Sequence, residues 1–357
     1  MEAVSSHEMG ALLIKRIVIS GYYGFDNAGD EAVLQAIIHA LRAEDPDIIP
    51  VVLSQQPDET AEAYGVEAVK RTDLKAVIAA IRHSDGLISG GGSLLQDATG
   101  LTTIPYYVGI LKLAQWMGKP TFIYAQGIGP VYRKMFFPLI KQCFTKASYI
   151  SVRDKESQQL LERMKLDPAK IDVVADPVLG LLPESRDISR NFLQDENVII
   201  DGQPLIAISI RDWKEDKAHF YPVIAKLADE LIMRNDNVLF VPMHVPDDRY
   251  AAEAIVSMMK HGKVVKVLKN EYTPTQLMGI LGTADLVIAM RLHALIFAAA
   301  QNVPVIGISY DPKIDQFLNR LGEVAVGSTN YLEYTTMLHQ VERILGDHAN
   351  VVARQQQ

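Results

Sequence analysis

Short apolar runs recur along the chain, each followed by a polar or glycine-rich turn and then by residues with helical spacing. RIVISGYY, IIPVVLS, SDGLIS, KPTFIYAQ and YISV fill the first half; PLIAISI, NVLFVPM, KVVKVL, DLVIAM and VPVIGISY fill the second. These runs show little polar alternation, which is the mark of strands buried on both faces of a parallel sheet. Between them the spacing predicts helices over residues 32–42, 74–82, 104–117, 220–234 and 332–345. The segment QQPDETAEAYG reads as a polar turn. The pattern predicts an α/β fold, with roughly six strand–helix units in the first half and five in the second.

At 357 residues the chain exceeds one ordinary core, so it divides into domains. Residues 184–203 (ESRDISRNFLQDENVIIDGQ) are polar and irregular and read as a linker between domains at 1–183 and 204–330. Residues 331–357 add a final helix and a frayed tail, and residues 1–14 read as a loose leader. A net charge of −8 argues against a nucleic-acid partner, which needs a basic footprint. A local cationic pocket remains compatible with that total. The one cysteine, Cys143, lies in the helical pattern LIKQCFTKA and reads as a buried structural thiol. There is no membrane-spanning run and no secretory signal, so the chain reads as cytoplasmic. Peripheral contact with the inner face of a membrane stays compatible with this.

The candidate chemistry concentrates in ADLVIAMRLHALIFAAAQNVPVIGISYDPK. Two adjacent strands would deliver Arg291, His293 and Lys313 to one rim, at the carboxyl ends where open α/β sheets place ligands. A guanidinium, an imidazole and an ammonium together suit an anionic ligand and proton transfer. After the first strand, GFDNAGDE opens a helix, but Gly21, Gly24 and Gly29 do not fit the dinucleotide pattern G-x-G-x-x-G. Asp26, Asn27 and Asp30 could accept bonds from sugar hydroxyls, or Asn27 and Asp30 could simply shape the turn and cap the helix. Gly91 and Gly92, leading to Ser93, allow close approach of backbone to a ligand, or form a tight packing turn. Arg133 stands at a helix start, where a cation opposes the macrodipole. Arg153, Arg211 and His244 also follow strand ends. No cysteine or histidine cluster calls for a metal.

RIVISGYYGFDNAGDEAVL, ISGGGSLLQD, AQGIGP, SVRDKES, ADPVL and MRLHALIFAAAQNVPVIGISYDPK, in this order, resemble the polysaccharide pyruvyl transferases over residues 16 to about 320. The cytoplasmic character and length look most like the bacterial members that pyruvylate secondary cell wall polysaccharide for surface-layer anchoring. The resemblance implies two Rossmann-like domains facing a cleft, as in GT-B glycosyltransferases. It implies phosphoenolpyruvate as co-substrate with no resident cofactor, and a lipid-linked saccharide containing N-acetylmannosamine as acceptor. The product would be a cyclic pyruvate ketal.

That chemistry needs cations for a phosphate and a carboxylate, here Arg291, Lys313 and Arg133, with Arg153 and Arg211 in reserve. It also needs a proton donor and acceptor, here His293, with His244 second. On this reading the second domain carries the donor. The first carries the acceptor, near Asp26, Asn27, Asp30, Gly91, Gly92 and Ser93. A GT-B glycosyltransferase with a nucleotide-sugar donor is the first alternative, although no acidic ribose clamp is visible. A non-catalytic polysaccharide-binding protein is the second, but aromatics make up only 7% of the chain and the cationic rim would have no purpose.

Overall fold

The computed structural model describes residues 15–98, 100–198, 202–213, 215–347 and 351–352. The predicted leader and the last residues of the tail lie outside them. The chain forms two compact units. One holds the residues up to Phe25 together with Val33–Pro177; the other holds Asp26–Ala32 together with the chain from Val178 onward.

The first unit contains strands β1 (Arg16–Tyr23), β2 (Ile49–Ser54), β3 (Glu67–Lys70), β4 (Gly86–Gly90), β5 (Thr121–Gln126), β6 (Tyr149–Val152) and β7 (Asp172–Val173). They pair in parallel in the order β3-β2-β1-β4-β5-β6-β7. The intervening helices are α1 (Ala28–Glu44), α2 (Pro57–Tyr64), α3 (Leu74–Arg82), α4 (Thr103–Trp116), α5 (Phe137–Phe144) and α6 (Lys155–Arg163). α1 begins in the other unit and runs into this one.

The second unit opens with α7 (Arg186–Asp195). Its strands are β8 (Leu205–Ser209), β9 (Asn237–Phe240), β10 (Lys266–Val267), β11 (Leu286–Ala289), β12 (Val305–Ser309) and β13 (Gly327–Ser328), in the order β10-β9-β8-β11-β12-β13. Its remaining helices are α8 (Lys217–Met233), α9 (Asp247–Met258), α10 (Pro274–Gly282), α11 (Leu292–Ala299), α12 (Pro312–Arg320) and α13 (Tyr334–Gly346). Both sheets therefore carry the doubly wound Rossmann order, with switch points between β1 and β4 and between β8 and β11. β4, β8 and β11 are buried along their whole lengths, as their unbroken apolar runs require.

Three segments differ from the sequence reading. The supposed polar turn after β2 is α2, with Pro57 in its first turn, Asp58 and Glu59 beside it, and Gly65 in the left-handed conformation closing it. The supposed linker contains α7: the Ser185 hydroxyl accepts from the Ile188 N–H at 3.3 Å, and Ser189 and Leu193 are buried. A Cβ on Gly279 of α10 would meet the Ser189 hydroxyl at 2.2 Å, so α7 packs too closely on α10 to act as a free tether. The third is the segment Asp26–Ala32, which belongs with the second unit rather than the first.

α3 shows how sequence sets local structure here. Asp73 accepts from the N–H groups of Lys75 and Ala76, and Val77, Ala80 and Ile81 turn inward. Ile81→Ala should lower unfolding stability by ~2–5 kcal/mol, read as a lower urea midpoint with an unchanged slope. An unchanged midpoint would mean that this face is not packed as described.

Candidate active site

In the second unit, the candidate side chains follow the carboxyl ends of β8, β9, β11 and β12. Arg291 follows β11 as the residue preceding α11, with no capping bond of its own. It is 9% exposed, and its Nε donates to Oδ2 of Asp248 at 2.8 Å while Nη2 donates to Oδ1. Asp248 is 1% exposed and also accepts from the N–H groups of Met243 (3.2 Å) and His244 (2.9 Å). Burial pushes the Arg291 guanidinium down. The Asp248 carboxylate, with smaller help from Tyr310 and Asp30, more than offsets this and keeps it above its ordinary value.

The turn after β1 docks here. Ala28 N–H donates to the Met243 carbonyl at 2.8 Å, Val245 N–H to the Asp26 carbonyl at 3.2 Å, and Asn27 bridges His244 in antiparallel fashion. Asp26 takes a left-handed φ of 54°, and Asn27 Oδ1 accepts from Gly29 N–H at 3.2 Å. A Cβ at Gly29 would stand 2.0 Å from Nδ1 of His293, so the bare backbone lets the imidazole lie against the turn. Asp26, Asn27 and Asp30 are thereby grouped with Arg291, His293 and His244. Their assignment to a first-domain acceptor side follows chain order, whereas backbone hydrogen bonds to residues 243–245 decide their place. His244 Nδ1 lies 4.0 Å from Asp247.

Lys313, in the first turn of α12, has its ammonium 3.6 Å from Asp311 and 5.4 Å from the Tyr310 ring centre. Arg211 donates to the Tyr310 hydroxyl at 3.1 Å, and its guanidinium lies over the rings of Trp213 (5.4 Å) and Tyr310 (5.1 Å). Burial pushes the Tyr310 phenol up, but Lys313, Arg211 and Arg291 together hold it below the ordinary tyrosine value. Three cations thus act on that oxygen, although Asp248 and Asp311 accompany two of them.

The other candidates lie in the first unit. Gly91 and Gly92 take positive φ of 96° and 21°; a Cβ on Gly91 would stand 2.9 Å from the Tyr23 hydroxyl, which donates to the Gly90 carbonyl at 2.8 Å. Ser93 accepts from Arg153 Nη2 at 3.4 Å, and Arg153 Nη1 donates to Asp176 at 2.8 Å. Arg133 is tied to buried Asp97: its N–H donates at 2.8 Å and its Nη1 lies 3.4 Å from the carboxylate. Cys143 is buried and burial pushes its thiol up, which suits a structural role.

Sequence reasoning missed Asp248 and Tyr310 as site members, and Arg71 altogether. Arg71 follows β3, and its guanidinium lies over Tyr106 (4.3 Å), Phe25 (5.1 Å) and Tyr107 (5.5 Å). An acid in the first turn of a helix after a strand end was the available signal for Asp248. Arg71 offered none once β3 went unread.

The profile of the polysaccharide pyruvyl transferases matches residues 27–312, from Asn27 through Arg291 and His293 to the start of α12. The chain belongs to this family. The amylovoran biosynthesis protein AmsJ of Erwinia amylovora is 22% identical over 362 residues, covering 86% of each chain. Among solved structures, the S. aureus MnaA–UDP co-structure superposes with a TM-score of 0.67 at 11% identity, covering 96% of this chain and 90% of that one. A putative UDP-N-acetylglucosamine 2-epimerase from Listeria monocytogenes gives 0.65 at 15% identity, covering 96% and 91%. These likenesses establish the GT-B-like fold of this pyruvyl transferase family member.

Two outcomes test the geometry. Asp248→Ala strands the buried Arg291 charge and should cost ~3–5 kcal/mol, measured by denaturant unfolding; a loss under 1 kcal/mol would show the pair is not buried in solution. Lys313→Ala removes a cation that favours the phenolate, so the Tyr310 pKa should rise, followed by NMR of ring-labelled tyrosine with Tyr310→Phe to assign the signal. An unmoved pKa would place Lys313 away from the phenol.

Proposed function

We propose that this protein transfers pyruvate from phosphoenolpyruvate to two hydroxyls of one sugar, forming a cyclic ketal and releasing phosphate. The observation that carries the donor is the gathering of Arg211, Lys313 and Arg291 around the Tyr310 phenol at adjacent strand ends. Phosphoenolpyruvate brings a phosphate and a carboxylate, and arginine forks with a lysine suit those oxyanions. Because Arg291 already gives two nitrogens to Asp248, it fixes the loop and shapes the field. Arg211 and Lys313 make the direct contacts.

The reaction takes a proton onto the methylene carbon, which becomes the methyl group and leaves C2 electrophilic. One sugar hydroxyl attacks C2 and gives up its proton. A second hydroxyl then attacks C2 as the C2–O bond to phosphate breaks, and the electron pair and that hydroxyl's proton leave together as hydrogen phosphate. His293, in the first turn of α11, supplies the proton to the methylene and recovers one from a hydroxyl. Asp26, Asn27 and Asp30 accept hydrogen bonds from the acceptor hydroxyls. Side chains with phosphoenolpyruvate as co-substrate carry this chemistry, and no resident cofactor enters it.

The acceptor in this reading is N-acetylmannosamine of a lipid-linked secondary cell wall precursor, supported by the motif resemblance. The family's description as polysaccharide pyruvyl transferases supports a saccharide acceptor more broadly.

Labelled phosphoenolpyruvate incubated with candidate acceptors should release phosphate and deliver pyruvate to the sugar, whereas nucleotide-sugars should transfer nothing. Transfer from a nucleotide-sugar alone would replace this reading with glycosyl transfer. His293→Ala should lower turnover by ~10²–10⁴-fold while leaving the melting curve in place. Retained turnover across the pH range would remove His293 from proton transfer.

A further inference from the structure

Residues 98–152 contain no aspartate or glutamate and six cations, Lys112, Lys119, Arg133, Lys134, Lys141 and Lys146, in a chain whose net charge is −8. Two of these serve the fold itself: Lys119 Nζ donates to the Ser84 carbonyl, and Arg133 is held on Asp97. The others lie on the outer side of α4 and α5 or just beyond their ends. In the same region Trp116 is 76% exposed, Met135 71% and Leu139 39%.

The spacing makes one surface of them. Lys112 and Trp116 are four apart on α4, and the Lys112 ammonium lies 5.8 Å from the Trp116 ring centre. Met135, Leu139, Gln142 and Lys146 recur every three to four residues along α5 and its flanking turns, opposite buried Phe136, Ile140, Cys143 and Phe144. Lys112 Nζ donates to Gln142 Oε1, which joins the outer faces of the two helices.

We propose that this face seats the first unit on an anionic lipid bilayer. Lysines flanking an exposed tryptophan, methionine and leucine match the layered chemistry of a headgroup boundary: ammonium groups reach phosphates while apolar tips enter the acyl edge. Residues 98–152 bring no carboxylate of their own to this face, although Asp167 and Asp172 share a groove with Lys141. The inference extends the reading above, whose acceptor is lipid-linked, but its test needs no donor.

The full chain is sedimented with vesicles of phosphatidylcholine alone and of phosphatidylcholine with a third phosphatidylglycerol, at low and high salt. Binding should require phosphatidylglycerol and weaken with salt. Trp116 emission should shift to the blue, a change absent in Trp116→Phe, since Trp213 is the other tryptophan. The triple variant Lys112→Glu, Lys134→Glu, Lys146→Glu should lower partitioning by more than about tenfold. Trp116→Ser with Leu139→Ser should weaken it without changing charge. Both variants should keep transfer to a water-soluble acceptor and lose it to one embedded in vesicles. If vesicle binding behaves as expected but no pyruvate is transferred, the surface stands and the activity reading fails. No binding to phosphatidylglycerol vesicles, or binding indifferent to both variants, overturns the surface. A dimer dissolved by the triple variant, with no vesicle binding, would reassign the face to a second copy of the chain.

Discussion

The second unit's functional end depends on the buried ion pair between Arg291 and Asp248. Two strand ends, those of β9 and β11, meet through it. Arg291 continues β11, Asp248 opens α9 after β9, and the same carboxylate gathers the N–H groups of Met243 and His244. The Met243 carbonyl and the Val245 N–H then receive the turn that carries Asp26 to Asp30. Moving two charges out of water costs several kcal/mol per ion, and such a pair is weak evidence for stability in itself. Its value here is positional: with the carboxylate's bonds directed to backbone and guanidinium, the loop cannot shift without stranding a charge. An arginine just ahead of α11, where serine or aspartate would cap better, is a local cost consistent with that task.

The pairing also separates the cations by role. Arg291 is enclosed and neutralised by its partner, so it contributes a fixed field more than a free contact. Arg211 makes its hydrogen bond to a phenol and lies over the rings of Trp213 and Tyr310, while Lys313 keeps a carboxylate only at 3.6 Å. Those two are better able to turn toward an incoming oxyanion. Tyr310 reports the balance: a phenol in an apolar surround should resist ionisation, and here cations reverse the direction.

Much of the fold was legible in the sequence because buried parallel strands need continuous apolar runs, and the residues just past those runs are placed at strand ends. DLVIAM and VPVIGISY identify β11 and β12, and with them Arg291, His293 and Lys313. The doubly wound division into two halves was also legible. Three features were not. α2 and α7 are short amphipathic helices in polar stretches, signalled only by Pro57, Gly65 and Ser185 at their ends. Asp248 pairs with a residue 43 positions away, a separation with no periodic signature. Asp26 to Ala32 follows β1 directly in the chain, yet its backbone groups are satisfied by residues 243–245; chain adjacency was the wrong guide because hydrogen bonding decides where a turn packs.

The fold alone would not have led to this chemistry. Proteins that share the doubly wound pair of sheets at 11–15% identity include one solved with UDP and a putative UDP-N-acetylglucosamine 2-epimerase. What the architecture provides is a set of strand ends at a switch point, to which different residues can be attached. Here the ends of β8, β11 and β12 carry arginine, arginine with histidine, and tyrosine with lysine. The turn that meets them must be glycine at position 29, because a methyl group there would occupy the space of the His293 ring. Carboxylates stand among these cations as well, Asp311 beside Lys313 and Asp248 on Arg291. The family match reads residue order over most of the chain, whereas the lowered Tyr310 phenol reflects the cations gathered at three strand ends.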